Sequence, residues 1–138
     1  MGRITILLLT AAWLTGCGKD APPPKPELPK IAAPSWNLGA YDAAPPPPGL
    51  PASTQPPTCW KAAYNGTPPA TVWVCGYPTG GGAFDAVQRT ATGANTVKFE
   101  EDRYLVIASC PALNDPAARD GFQNLVRAIQ QKLKSAAK

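Results

Sequence analysis

Apolar and polar positions alternate in two stretches, Cys59 to Tyr64 and Ala70 to Gly76, separated by Asn65-Gly66-Thr67-Pro68-Pro69. Alternation of period two, rich in aromatic and β-branched residues, marks strands, and Asn-Gly followed by prolines supplies turn chemistry. The pattern predicts a hairpin. With Thr67 at its midpoint, Tyr64 faces Ala70, Ala62 faces Val72, Trp60 faces Val74 and Cys59 faces Cys75. Trp60, Ala62, Tyr64, Val72 and Val74 then share the expected core face, and Cys59, Lys61, Ala63, Trp73 and Cys75 share the other.

A second pair of strands, Thr96 to Glu100 and Arg103 to Ala108, is divided by Glu101-Asp102 as a tight turn, which sets Phe99 opposite Tyr104 and Val97 opposite Val106. Between the hairpins, Thr79-Gly80-Gly81-Gly82 leads into a short helix from Ala83 to Ala91, with Phe84, Val87 and Ala91 at helical spacing and Gly93 as its stop. The glycines read as an entry turn, because the Lys-Ser/Thr ending of a phosphate-binding loop is missing. The clearest helix follows Asn114-Asp115-Pro116, where Asp115 caps and Pro116 takes the first helical position. Its apolar stripe is Ala118, Phe122, Leu125, Val126, Ile129 and Leu133.

The order strand, strand, helix, strand, strand, helix predicts an α+β fold over residues 58–138: a small four-stranded antiparallel sheet in ββαββα order with two helices on one face. Val72 to Cys75 and Leu105 to Ile107 are apolar on both faces and are expected at its centre, with the Lys-bearing strands at the edges.

Residues 17–57 break this regularity. They hold most of the chain's 18 prolines, and proline fixes its own φ and lacks an amide donor. The stretch is expected to be a disordered, semi-rigid tether, with a fully extended reach on the order of 120 Å at about 3.1 Å per residue. Ser35 to Asp42 interrupts it with Trp36, Leu38 and Tyr41, for which a spacer has no use. Either this patch folds back on the domain or it is a short contact for a partner, and so few residues show no period that decides.

Upstream, Arg3 precedes an apolar run from Ile4 to Leu14. The run is shorter than the roughly 20 residues a membrane span needs, so residues 1–16 read as a signal peptide. It closes on Leu14-Thr15-Gly16-Cys17, which resembles the lipobox of bacterial lipoproteins. That resemblance implies diacylglycerol on the Cys17 thiol, cleavage before Cys17 and acylation of the new amino terminus, an anchor of several chains. It also implies a location: Gly18, in place of the Asp that retains lipoproteins at the inner membrane, points to the outer membrane, facing the periplasm.

Composition narrows the chemistry. Histidine is absent, which removes His-dependent triads and His-containing zinc sites. Lys and Arg number 13 against 9 Asp and Glu, and the basic residues are scattered without the stripe that nucleic acid requires. Neither a calcium-loop spacing nor a four-Cys pattern occurs, so no metal or other cofactor is expected. With Cys17 lipidated, Cys59, Cys75 and Cys110 remain in an oxidising compartment. Cys59 and Cys75 are opposed in the hairpin and suit a disulfide; Cys75 with Cys110, or reduced thiols, are the alternatives. Cys110 lacks the Cys-x-x-Cys context of a redox thiol. Asp85, Glu100, Glu101, Asp102, Asp115 and Asp120 are the carboxylates, several of them at turn or cap positions.

Counting apolar faces gives a candidate site. Trp73, Leu105 and Ile107 alternate away from the helix-packed face and, beside Lys61, form an expected partner-binding surface, unless Trp36, Leu38 and Tyr41 cover it. The expected function is that of a non-catalytic, membrane-anchored envelope lipoprotein whose domain binds an envelope protein or cell-wall component. The alternative is an envelope enzyme using a carboxylate or Cys110.

Overall fold

In a computed structural model of the chain, residues 22–32 and 36–137 are described. The signal peptide and Cys17 lie outside them. The elements are β1 (Ile31–Ala32), β2 (Trp36–Ala44), β3 (Thr58–Asn65), β4 (Ala70–Gly76), α1 (Gly80–Arg89), β5 (Thr96–Glu101), β6 (Tyr104–Ser109) and α2 (Pro116–Ala136).

Among the described residues the sheet has six antiparallel strands in the order β1-β2-β3-β4-β6-β5, which corrects the expected four. The two additional strands come from the stretch read as tether. β2 pairs along β3 from Asn37 opposite Asn65 to Ala44 opposite Cys59, with a bulge between Leu38 and Tyr41. Lys-bearing β3 is therefore an interior strand. Trp36, Leu38 and Tyr41 supply the apolar contacts that a nine-residue strand in a Pro-rich region needs.

The β3–β4 register is the one read from the sequence, from Tyr64 opposite Ala70 to Cys59 opposite Cys75. The β5–β6 register is not: Phe99 lies opposite Val106, Val97 opposite Ala108 and Glu101 opposite Tyr104. The turn is Asp102-Arg103, and Asp102 takes a φ of 54°, a left-handed conformation that Asp tolerates because its side chain bonds locally. A two-residue slip leaves every side chain on its expected face.

The helices pack on opposite faces of the sheet, not on one. Phe122, Leu125, Ile129 and Leu133 of α2 share a core with Trp60, Ala62, Tyr64, Val72, Val74 and Val106. Ala83, Ala86 and Val87 of α1 share a second core with Cys59, Cys75, Leu105 and Ile107. The cause is in β4 and β6 themselves: apolar residues point both ways from these central strands, so each face requires a layer. Asp115 caps α2 by accepting from the Ala118 amide at 2.8 Å. In α1 the glycines form the first turn behind the Thr79 cap, and the helix closes at Thr90, before Gly93. Its buried residues are Ala83, Ala86 and Val87, and Phe84 is 56% exposed, although its spacing had suggested core. The Cys59–Cys75 disulfide ties β3 to β4 on the α1 side.

Candidate functional site

Residues 22–30 contain Pro22, Pro23, Pro24, Pro26 and Pro29 and join no helix or strand. Pro23 and Pro26 are buried and Pro29 is half-buried, while Pro22, Pro24, Lys25, Glu27 and Lys30 are exposed. A contact recurring every third residue is the signature of one edge of a polyproline II helix, which has three residues per turn. Leu28, 4% exposed, adds an apolar anchor in the α2-side core. This segment is a strap lying on the same face of the sheet as α2.

Proline has no amide donor, but its carbonyl still requires a partner when desolvated. Three tyrosines from three strands supply it. Tyr104 of β6 donates to the Pro24 carbonyl at 2.6 Å, Tyr41 of β2 to Pro26 at 2.8 Å and Tyr64 of β3 to Pro29 at 2.7 Å. Alternation aims the Tyr64 side chain to the α2 face with Trp60 and Ala62. Gly76, opposite Tyr104, leaves room for the strap to approach the sheet: a Cβ there would stand 2.3 Å from Pro23 Cγ.

Burial raises the Tyr41, Tyr64 and Tyr104 phenols above their ordinary pKa, and for Tyr41 the other two phenols add to the effect. All three are thus protonated donors near neutral pH. Lys25 sits with its Nζ 4.1 Å from the Tyr41 ring centroid and donates to the Tyr41 carbonyl. Glu27 meets Lys132 of α2 at 3.5 Å, an exposed pair that contributes little. Strap, β2 and α2 enclose a cleft of about 450 Å³, with Lys25, Glu27, Leu38, Tyr41 and Lys132 among its walls.

The partner-binding residues read from the sequence are divided by this architecture. Leu105 and Ile107 are buried beneath α1, 0% and 8% exposed, and are core. Trp73 is half-buried at the rim of that core, and exposed Lys61 lies opposite it on β3 with its Nζ 5.2 Å from the indole. Asp42 of β2 stands next to Lys61, and a shallow groove of about 290 Å³ runs over Ala40, Asp42, Lys61 and Ala63. Trp36, Leu38 and Tyr41 do not cover Trp73. They pack with the α2-side core, where the Trp36 Nε1 donates to the Gly121 carbonyl at 3.0 Å.

Cys110 is fully buried, its Sγ 3.6 Å from the Pro69 carbonyl, and burial pushes its thiol up. Asp85 pairs with Arg89 at 2.9 Å within α1, and Asp115 is used as a cap. Among the described residues, no group of three or more Cys, Asp and Glu side chains gathers around a common point.

Comparison of the chain with protein-family models, curated proteins and solved structures yields no match. The strap and its tyrosines escaped the sequence reading because proline density alone suggests a spacer. The signal that separates the two is the three-residue spacing of Pro23, Pro26 and Pro29 around Leu28, an apolar residue that a solvated spacer does not need.

Proposed function

We propose that this chain is a non-catalytic, lipid-anchored envelope protein of the outer membrane, facing the periplasm, whose folded domain binds an envelope protein or cell-wall component. The anchor follows from the lipobox resemblance at Cys17. The observation that supports binding is the Trp73–Lys61 pair: a half-buried indole at the rim of the α1-side core carries an ammonium over its ring, and Lys61 also lines a groove with small side chains at Ala40 and Ala63. Tryptophan concentrates at binding hot spots because it removes much area from water at little entropic cost. Leu105 and Ile107 belong to this reading only as the support on which Trp73 rests.

The strap adds a geometric consequence. From Cys17 to docked Pro23 there are six residue steps, roughly 20 Å at most when fully extended. The domain then works close to the membrane surface, not at the end of a long leash.

A photo-crosslinking residue in place of exposed Ala43, on the same groove, in full-length protein in the native envelope, tests the binding surface. One discrete adduct, lost on Trp73→Ala while the melting temperature moves by only a few degrees, supports the reading. An adduct unaffected by that substitution, or none, contradicts it. Mass spectrometry of Cys17 tests the anchor separately, since an unmodified thiol in mature protein would remove it.

A further inference from the structure

We propose that the face formed by Tyr41, Tyr64 and Tyr104 is a binding site for proline-rich polypeptide, and that the strap is a resident occupant exchangeable for a proline-rich segment supplied in trans. The contacts are of the kind that recognise polyproline II elsewhere: an aromatic groove with side-chain donors, reading main-chain carbonyls and a three-residue period. Three hydroxyls bond three strap carbonyls. Because those acceptors belong to the backbone, the groove selects conformation before side-chain identity. Selectivity comes from Leu28, which precedes Pro29 in a Pro-x-x-Pro repeat and is buried in the α2-side core.

The strap is attached in a way that permits exchange. Its backbone bond to the sheet falls at its last residue, where the Leu38 amide of β2 donates to the Lys30 carbonyl at 2.8 Å; the ladder itself begins at Ile31. It carries no disulfide, and the β2–β6 ladders, both helices and the Cys59–Cys75 bridge are formed by residues outside it. Tethering gives the strap an effective concentration in the millimolar range, so a competitor gains access when the strap is weakened or when the competitor is abundant. A proline-rich partner in the envelope would thereby be coupled to the reach of the domain: a released strap lengthens the free chain from six residue steps (Cys17 to Pro23) to fourteen (Cys17 to Ile31), roughly 47 Å at most when fully extended. The groove itself stands independently of the anchor and of the Trp73 surface.

The test uses full-length protein and a fluorescent peptide of residues 22–30. Leu28→Asp weakens the strap, and the peptide is expected to bind this variant at least tenfold more tightly than wild type. Adding Tyr64→Phe should weaken that binding about fivefold or more, as should replacing Pro26 and Pro29 of the peptide by Ala. Where Leu28→Asp fails to fold, wild-type protein carries the test. Excess peptide should then speed tryptic cleavage between Lys30 and Ile31, whereas the Ala-substituted peptide should not. Three results would each overturn the proposal: no saturable binding to a folded variant, binding indifferent to the tyrosines, or unchanged cleavage in wild type. A wild-type chain of doubled mass that binds no peptide would also overturn it, in favour of straps exchanged between two copies.

Discussion

The Tyr104 hydroxyl donates to the Pro24 carbonyl across 2.6 Å, although the two residues lie 80 positions apart in the chain. One end of this bond is on a central strand, and the other is in a segment whose composition suggests no structure at all. Tyr41 and Tyr64 repeat the arrangement further along the strap. Proline is well suited to this role, because its restricted backbone loses little conformational entropy on docking, and its missing amides leave only carbonyls to satisfy.

Removing one of these bonds should be measurable but not ruinous. Tyr64→Phe keeps the buried ring and leaves the Pro29 carbonyl without its donor, at an expected cost of about 1 kcal/mol. In a domain of this size that lowers the melting temperature by several degrees. Calorimetry of wild type and variant checks it, and an unchanged melting temperature would show that the bond has no net effect.

Leu28 separates a docked strap from a spacer more sharply. Buried at 4% exposure, it should lose about 2–4 kcal/mol on substitution by Ala, as other core leucines do. Chemical denaturation measures this through the midpoint. The same substitution in a solvated tether would change nothing.

Alkaline pH should loosen the strap. Burial raises the folded-state pKa of Tyr41, Tyr64 and Tyr104 above the ordinary value near 10. The neutral phenols are therefore favoured by folding: their contribution is fully present below about pH 10 and is lost as pH rises through the folded values, because the unfolded chain ionises first. Each phenol held neutral lowers stability by about 1.4 kcal/mol per pH unit in that window. Unfolding followed from pH 8 to 12 should show a decline beginning near pH 10 that flattens when the three tyrosines are replaced by Phe.

The cysteines should divide cleanly. Cys59 and Cys75 close a loop with a sequence separation of 16, so their joint replacement by Ala is expected to cost about 3 kcal/mol on chain-entropy grounds. Cys110, buried and with its thiol pKa raised, should resist thiol reagents. In a Cys17→Ser chain, labelling at neutral pH should proceed only at the rate of unfolding. Fast labelling of native protein would place the thiol at a working surface.

What the sequence made legible follows from which forces act locally. The β3–β4 register, the Cys59–Cys75 pairing and the capped α2 each rest on alternation, turn residues or helical spacing within one continuous stretch. The β5–β6 register slipped by two because Asp102, not Glu101, begins the turn. The placement of α1 was misread for a different reason: Leu105 and Ile107 mark an apolar face without saying what covers it, and a helix of this chain is as suitable a cover as a partner. β2 and the strap are legible least. Their apolar contacts come from residues tens of positions away, and proline suppresses the periodicities by which strands and helices are recognised.

The central claim, that the proline-rich strap is part of the folded domain, is tested most directly by backbone ¹⁵N relaxation at the amides of Lys25, Glu27, Leu28 and Lys30. A docked strap predicts order parameters near those of β3 and β4, about 0.85. Values below about 0.6 at these four amides, with the strands remaining rigid, would show a free tether and contradict the account.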